Sequence, residues 1–272
     1  MIRDITIGQY YRANSPIHAL DPRVKIAGTF LFIISLFFKK SLIVYAIATI
    51  FLIMVIRCSK VPFRFICRGL KAIIFILLFS VVANMFFTPG EEIFHIGIFR
   101  LTKEGVTMAF YLSIRLIYLI LGSSILTFTT TPNQLTSGLE KMFGFLNKIR
   151  VPVCDIAMMM SIALRFIPIL TEELDKIMKA QMARGADFDE GNLIQKMKNM
   201  IPLLVPLFVA AIRRANDLAM AMEARCYHGS EGRTKMKPLR YSVIDGKAYA
   251  ILGLYMISMI GASVFVTKFH LV

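Results

Sequence analysis

Apolar residues along this 272-residue chain gather in long uncharged runs that a soluble domain would not carry. The first two, Ile26–Phe38 and Ser41–Ile56, are divided only by Lys39-Lys40. Each is short against the roughly 20 residues a membrane crossing needs. Flanking Lys25, Lys39, Lys40 and Arg57 can snorkel to the headgroups. A tight hairpin of two crossings is therefore expected, with one long broken helix as the alternative. Ala72–Phe87 is a third run, closed by the turn signal Thr88-Pro89-Gly90. Val106–Thr127 is long enough to span and holds Arg115, which should face the bundle or a polar cavity and not lipid. Ala248–Thr267 is uncharged and close to the ideal length.

The segment between the fourth and last runs has a different texture. Thr131-Pro132-Asn133-Gln134 predicts a helix start, with Thr131 as cap, proline at the first helical position and Gln134 closing a capping box. The helix that follows places Leu135, Leu139, Met142, Phe143 and Leu146 on one face, as an interfacial amphipathic helix does. Two further apolar stretches, Val151–Leu170 and Met200–Ile212, would raise the crossings to seven if both spanned. Asp155, Arg165 and Pro168 interrupt the first; Pro202 and Pro206 interrupt the second. Kinked helices half-buried against the bundle are the expectation, each running into a charged helix, Thr171–Arg184 and Arg213–Arg225.

Composition fits a membrane protein. The chain is 57% apolar and 18% charged, against about 45–50% and about 25% in soluble domains. Its net charge of +15 sits beside apolar runs and not in an aromatic-interleaved patch, which argues against nucleic-acid binding. Arg57, Lys60, Arg64, Arg68 and Lys71 form a basic connection without an acid, whereas Glu91–Gly105 is not basic. The positive-inside rule then places the N-terminus, residues 57–71 and residues 129–247 in the cytoplasm, with the C-terminus external. The expectation is an all-α integral membrane protein of about five transmembrane helices plus a large cytoplasmic region. Its divisions are 1–128, 129–247 and 248–272. The charged first 25 residues offer no cleavable signal. Cys58, Cys67, Cys154 and Cys226 lack C-x-x-C spacing and are expected as free thiols, and the scattered histidines suggest no metal site.

The two charged helices end alike, in Ala183-Arg184-Gly185 and Ala224-Arg225-Cys226, forty-one residues apart. A lone arginine in a last helical turn answers the helix dipole. A matched pair points to paired docking, for which the rigid guanidinium fork suits an acidic or carbonyl partner. Counted back from these arginines, Glu172, Glu173 and Asp175 stand level with Arg213, Arg214 and Asn216. Acids on one helix thus oppose bases on the other if the two cross; solvated surface charge is the alternative. Ala211, Ala215 and Ala219 recur at four-residue spacing, which permits close helix approach or reflects alanine's helix propensity alone. Methionines crowd the same region, including Met158-Met159-Met160, Met197, Met200 and Met220, and flexible thioethers suit a surface that repacks against partners.

These motifs, taken in order, resemble a known family. Ser15-Pro16-Ile17-His18-Ala19-Leu20-Asp21-Pro22-Arg23-Val24-Lys25, Leu164-Arg165-Phe166-Ile167-Pro168, the Ala183-Arg184-Gly185 triplet and Ala221-Met222-Glu223-Ala224-Arg225-Cys226-Tyr227 are similar to the transmembrane T component of energy-coupling factor (ECF) transporters. Cys226 departs from the glycine of many relatives. The resemblance implies prokaryotic plasma-membrane localisation and a non-catalytic subunit for vitamin or metal-ion uptake. It implies that Arg184 and Arg225 end coupling helices seated in two ABC-type ATPase subunits, beside one substrate-binding membrane S component. ATP and magnesium would belong to those ATPases, and no cofactor is expected in this chain, which has no G-x-x-x-x-G-K-[ST] stretch. Within the family, Ile5-Thr6-Ile7-Gly8-Gln9-Tyr10-Tyr11 is closer to the shared, several-vitamin type than to the dedicated cobalt or nickel type. A stand-alone transporter or channel would need ionisable groups at mid-membrane, where only Arg115 qualifies. A membrane-embedded enzyme would need a nucleophile–base or metal constellation, and none is evident.

Overall fold

The structure, a computed structural model, describes residues 10–38, 41–89, 92–96, 99–186, 188, 192–229, 236 and 238–268. Lys39-Lys40, Gly90, Glu91 and the Ile5–Gln9 part of the N-terminal motif lie outside them. The described chain is helical: α1 (Pro16–Ala19), α2 (Pro22–Ser35), α3 (Leu42–Ser59), α4 (Phe63–Phe87), α5 (Lys103–Thr129), α6 (Pro132–Met142), α7 (Val153–Ala183), α8 (Leu193–Glu223) and α9 (Val243–Lys268). A short antiparallel hairpin, β1 (Glu92–Ile96) with β2 (Phe99–Thr102), joins α4 to α5. The sequence reading had this stretch as a plain loop. Two compact units form, one of residues 1–138 with 239–272 and one of residues 139–238. The divisions expected from sequence stood at 128/129 and 247/248.

In the first unit, α2 packs on α5 and α9, α3 on α5 and α9, and α4 on α5. Its core joins Phe32, Ala48, Leu52, Ile125, Phe128, Tyr255 and Met259. At Gly122 α5 has no room for a side chain against α2, since a Cβ there would lie 2.8 Å from the Phe32 ring. Phe51 stacks on Tyr255 at 4.1 Å, and the Tyr255 hydroxyl meets Ser35 Oγ at 2.6 Å, so the buried phenol is not left unpaired. Outward, Phe75, Phe79, Ile50, Leu254 and Ile257 are exposed. In water such a surface would aggregate; in a bilayer it is the lipid face.

Four helices among the described residues have the length and composition to cross a membrane: α3, α5, α7 and α9. Three of them match the expected crossings Ser41–Ile56, Val106–Thr127 and Ala248–Thr267, with Ser41 at the N-cap of α3. The expected Ala72–Phe87 crossing lies in the 25-residue α4. That helix begins at Phe63, so Arg64, Arg68 and Lys71 sit on a helix and not in a loop. The Ile26–Phe38 run gives a separate helix of 14 residues, about 21 Å long against roughly 30 Å of hydrocarbon. Phe32 of α2 stacks on Phe51 of α3 at 6.0 Å, so the two runs lie side by side and are not one long broken helix. In α7 the Val151–Leu170 stretch continues as helix through Pro168 into the charged part, so the expected kinked helix and charged helix are one element, which is long and apolar enough to cross by length and composition alone.

Arg115, half-buried in α5, donates from Nε to Tyr45 Oη at 3.2 Å and lies over the Phe37 ring at 5.1 Å. Aromatic faces and a phenol thus hold the charge inside the bundle.

Candidate functional site: two arginine-terminated helices

The second unit is built on α7 and α8, each 31 residues long and packed together. Local chemistry starts α8: Asn192 N–H donates to Gln195 Oε1 at 3.1 Å, one half of a capping box. A 3-10 turn, Phe143–Ile149, precedes α7, and Asn147 Oδ1 accepts from Val153 N–H at 3.2 Å to cap its start. Along α8, Leu207, Ala211, Arg214, Leu218 and Met222 are half-buried at three- and four-residue spacing. Glu173, Leu174 and Ile177 are the corresponding half-buried positions of α7.

One ion pair joins the helices, Arg214 Nη2 to Glu173 Oε2 at 2.9 Å. Both groups stand eleven residues before the arginine that ends their helix. Glu172 and Arg213, also expected to oppose each other, are exposed and apart. The reason is helical geometry: a neighbouring residue points about 100° away, so one pair facing inward turns the next pair out. Ala211 is half-buried, but Ala215 and Ala219 are exposed, so the alanine series does not as a whole face a helix of this chain.

The two ends share one backbone pattern. Gly185 N–H donates to Met182 O and Ala186 N–H to Gln181 O, both at 3.0 Å, with Gly185 at φ +89. Cys226 N–H donates to Glu223 O at 2.9 Å and Tyr227 N–H to Met222 O at 3.1 Å, with Cys226 at φ +56. Both are Schellman closures, with Arg184 and Arg225 at the same cap position and a left-handed residue after each. Glycine takes that conformation freely; cysteine takes it at a cost of roughly 1–2 kcal/mol. Nothing lies within 4 Å of where a Gly185 Cβ would be, so backbone conformation and not crowding selects glycine there. Ala183, Arg184, Gly185 and Ala224, Arg225, Cys226 are all exposed. Each end therefore presents a fixed backbone knuckle with an exposed arginine.

A profile of the CbiQ family, described as cobalt transport protein, matches residues 13–236 and so includes both helix ends. The energy-coupling factor transporter transmembrane protein EcfT of Clostridium kluyveri is 52% identical over 247 residues, 90% of this chain and 92% of that protein. The chain belongs to this family of ECF transporter transmembrane proteins. EcfT of Ruminiclostridium cellulolyticum is 49% identical over 256 residues, covering 94% and 96% of the two chains. EcfT of Bacillus subtilis is 47% identical over 246 residues, covering 90% and 93%.

This ECF-family chain carries a second polar centre, in its first unit, that sequence reasoning resolved only in part. Within the Ser15–Lys25 motif, Asp21 caps α2, accepting from Arg23 N–H at 2.9 Å. Arg23 clasps the same carboxylate through Nε at 3.0 Å and Nη2 at 2.9 Å, and lies 3.9 Å above the Tyr241 ring. The hydrogen bonds that Arg23 donates to Asp21 raise the Arg23 pKa above its ordinary value. Asp245, buried, accepts from Asp21 N–H at 2.8 Å and from Ser242 N–H at 2.7 Å, so one carboxylate caps α9 and ties it to α2. Lys25 Nζ donates to Thr129 O at 2.9 Å and His18 O at 3.1 Å, placing a cation at the C-terminal end of α5. Tyr11 N–H takes the neighbouring carbonyl, Phe128 O, at 2.9 Å. No periodicity links residues 224 positions apart, which is why Asp245 was not a sequence candidate.

Proposed function

We propose that this chain is the scaffold through which an ECF importer converts ATPase motion into substrate uptake. In this reading Arg184 and Arg225 each dock one ABC-type ATPase subunit, and those two subunits bind ATP and magnesium and perform the hydrolysis. A separate S component captures the substrate, for which a vitamin fits the shared-type N-terminal motif. The observation that carries the proposal is the equivalence of the two helix ends. A helix closed by a Schellman motif is a rigid lever, and two identical ends suit two partners of one kind. The Glu173–Arg214 pair, level on the two helices, sets them in register.

Charge asymmetry supports an orientation with the N-terminus and residues 129–247 cytoplasmic and the C-terminus external, in which α7 is not a crossing despite its apolar length. Exposed methionines of the second unit, Met159, Met160, Met182, Met197, Met200 and Met220, supply an adaptable apolar surface for docking. Affinity purification of the chain from membranes, followed by intact-mass measurement of the assembly, tests the reading. Two ATPase subunits and one further membrane subunit per copy are expected. Recovery of the chain alone, active in uptake by itself, contradicts it.

A further inference from the structure

At the end of the bundle where Lys25 caps α5, the first unit contains a cavity of about 240 Å³. Its wall is drawn from α1, α2, α3, α5 and α9, and is almost wholly apolar, with Leu20, Phe32, Leu52, Ile125 and Leu252 among its residues. Two of the few polar wall groups are already engaged. Lys25 Nζ is held by two carbonyls, and Thr129 Oγ1 donates to Ile125 O at 2.8 Å. A buried water needs two to four free polar partners, whereas a dry apolar cavity of about 150 Å³ already accepts a benzene-sized guest. This space is therefore suited to hydrocarbon.

Two observations identify the hydrocarbon. Met54, Ile244 and Ile251 line the cavity and are also exposed, so it opens on the outer surface of the membrane-embedded unit. The charged lining residues are Lys25 and Lys247, both cations, and no carboxylate lines the wall. With Lys25 committed to carbonyls, the exposed Lys247, which makes no ion pair among the described residues, is the charge available at the mouth. The geometry points to a bound lipid: one acyl chain of an anionic phospholipid enters between α3 and α9, and its phosphate meets Lys247. The assignment rests on the membrane-embedded bundle alone and stands apart from the docking of ATPase subunits. It gives the basic end of the bundle a requirement for anionic lipid, with the acyl chain acting as packing between the helices.

The chain has no tryptophan, so a single introduced indole reports without background. Ile251→Trp places one at the cavity mouth, and Ile257→Trp places one on the lipid-exposed surface of the same helix. Each full-length variant is reconstituted in nanodiscs with increasing fractions of phosphatidylglycerol brominated along its acyl chains, and again with brominated phosphatidylcholine. The expected result is half-quenching of the mouth indole at a several-fold lower fraction of the anionic lipid than the surface indole requires. That advantage should shrink with phosphatidylcholine and in Lys247→Glu. Ala248→Phe, which fills the cavity from its wall, should also abolish it. Superimposable curves for the two indoles would overturn the site. Equal preference for both lipids would overturn the assignment of an anionic headgroup. Since Ala248→Phe could perturb folding, its thermal melt is compared with the parent, and Lys247→Glu, at an exposed position, decides independently.

Discussion

Glu173 of α7 and Arg214 of α8 meet at 2.9 Å, and each lies eleven residues upstream of the arginine that ends its helix. The contact makes the two helices equivalent in level as well as in termination. Both side chains keep part of their surface in solvent, 37% for Arg214 and 28% for Glu173. Such a pair contributes only about 0–1 kcal/mol, so it sets register and does not weld the helices.

Charge reversal separates those roles. Glu173→Arg or Arg214→Glu alone should lower substrate uptake per ATP hydrolysed in the reconstituted complex, and the two together should restore it. The coupling energy in a double-mutant cycle on stability should be of order 0.5 kcal/mol. Glu172→Arg and Arg213→Glu, at exposed positions without the contact, should change neither quantity. A combined variant no better than its separate parts would remove the pair from the account.

The left-handed backbone at Cys226 predicts a stabilising substitution. Cys226→Gly should release about 1 kcal/mol of conformational strain, partly offset by glycine's greater freedom when unfolded. Gly185→Ala should lose about 1 kcal/mol by the same argument reversed. Amide hydrogen exchange is the readout: protection of Tyr227 N–H should rise in the first variant and that of Ala186 N–H should fall in the second.

Asp245→Asn tests the buried centre of the first unit. The carboxylate accepts from Asp21 N–H and Ser242 N–H through different oxygens, and an amide can offer only one. One donor is then left unsatisfied in a buried place, at a cost of about 1–3 kcal/mol. A lowered melting temperature in detergent is expected, without change in the exchange behaviour of the α7 and α8 ends. An unchanged melt would mean that the carboxylate is dispensable.

What the sequence disclosed follows the range of the interactions involved. The Thr131–Gln134 capping box is local, and the structure forms it, with Thr131 N–H to Gln134 Oε1 at 3.1 Å and Gln134 N–H to Thr131 Oγ1 at 3.3 Å. The runs within α3, α5 and α9 were legible because lipid demands continuous apolar length. Matched helix ends disclosed the Glu173–Arg214 level, but not which of two adjacent charges turns inward. The β1–β2 hairpin escaped because the fifteen residues between α4 and α5 look like a connection. Nothing in a cysteine announces φ > 0, so the Schellman closure of α8 is visible only in the structure. The Asp21–Asp245 bond joins chain regions far apart, and propensity carries no information at that distance.

The central claim is that Arg184 and Arg225 are equivalent docking points for two ATPase subunits. Its most direct measurement is the number of ATPase subunits retained per copy of the chain, by native mass spectrometry, in Arg184→Ala, Arg225→Ala and the double variant. Removing one partner of a docked charge costs about 2–5 kcal/mol. Each single variant should therefore hold its second ATPase subunit weakly, and the double variant should hold none, with the helical content of the chain preserved. Full retention of two subunits by the folded double variant would contradict the account.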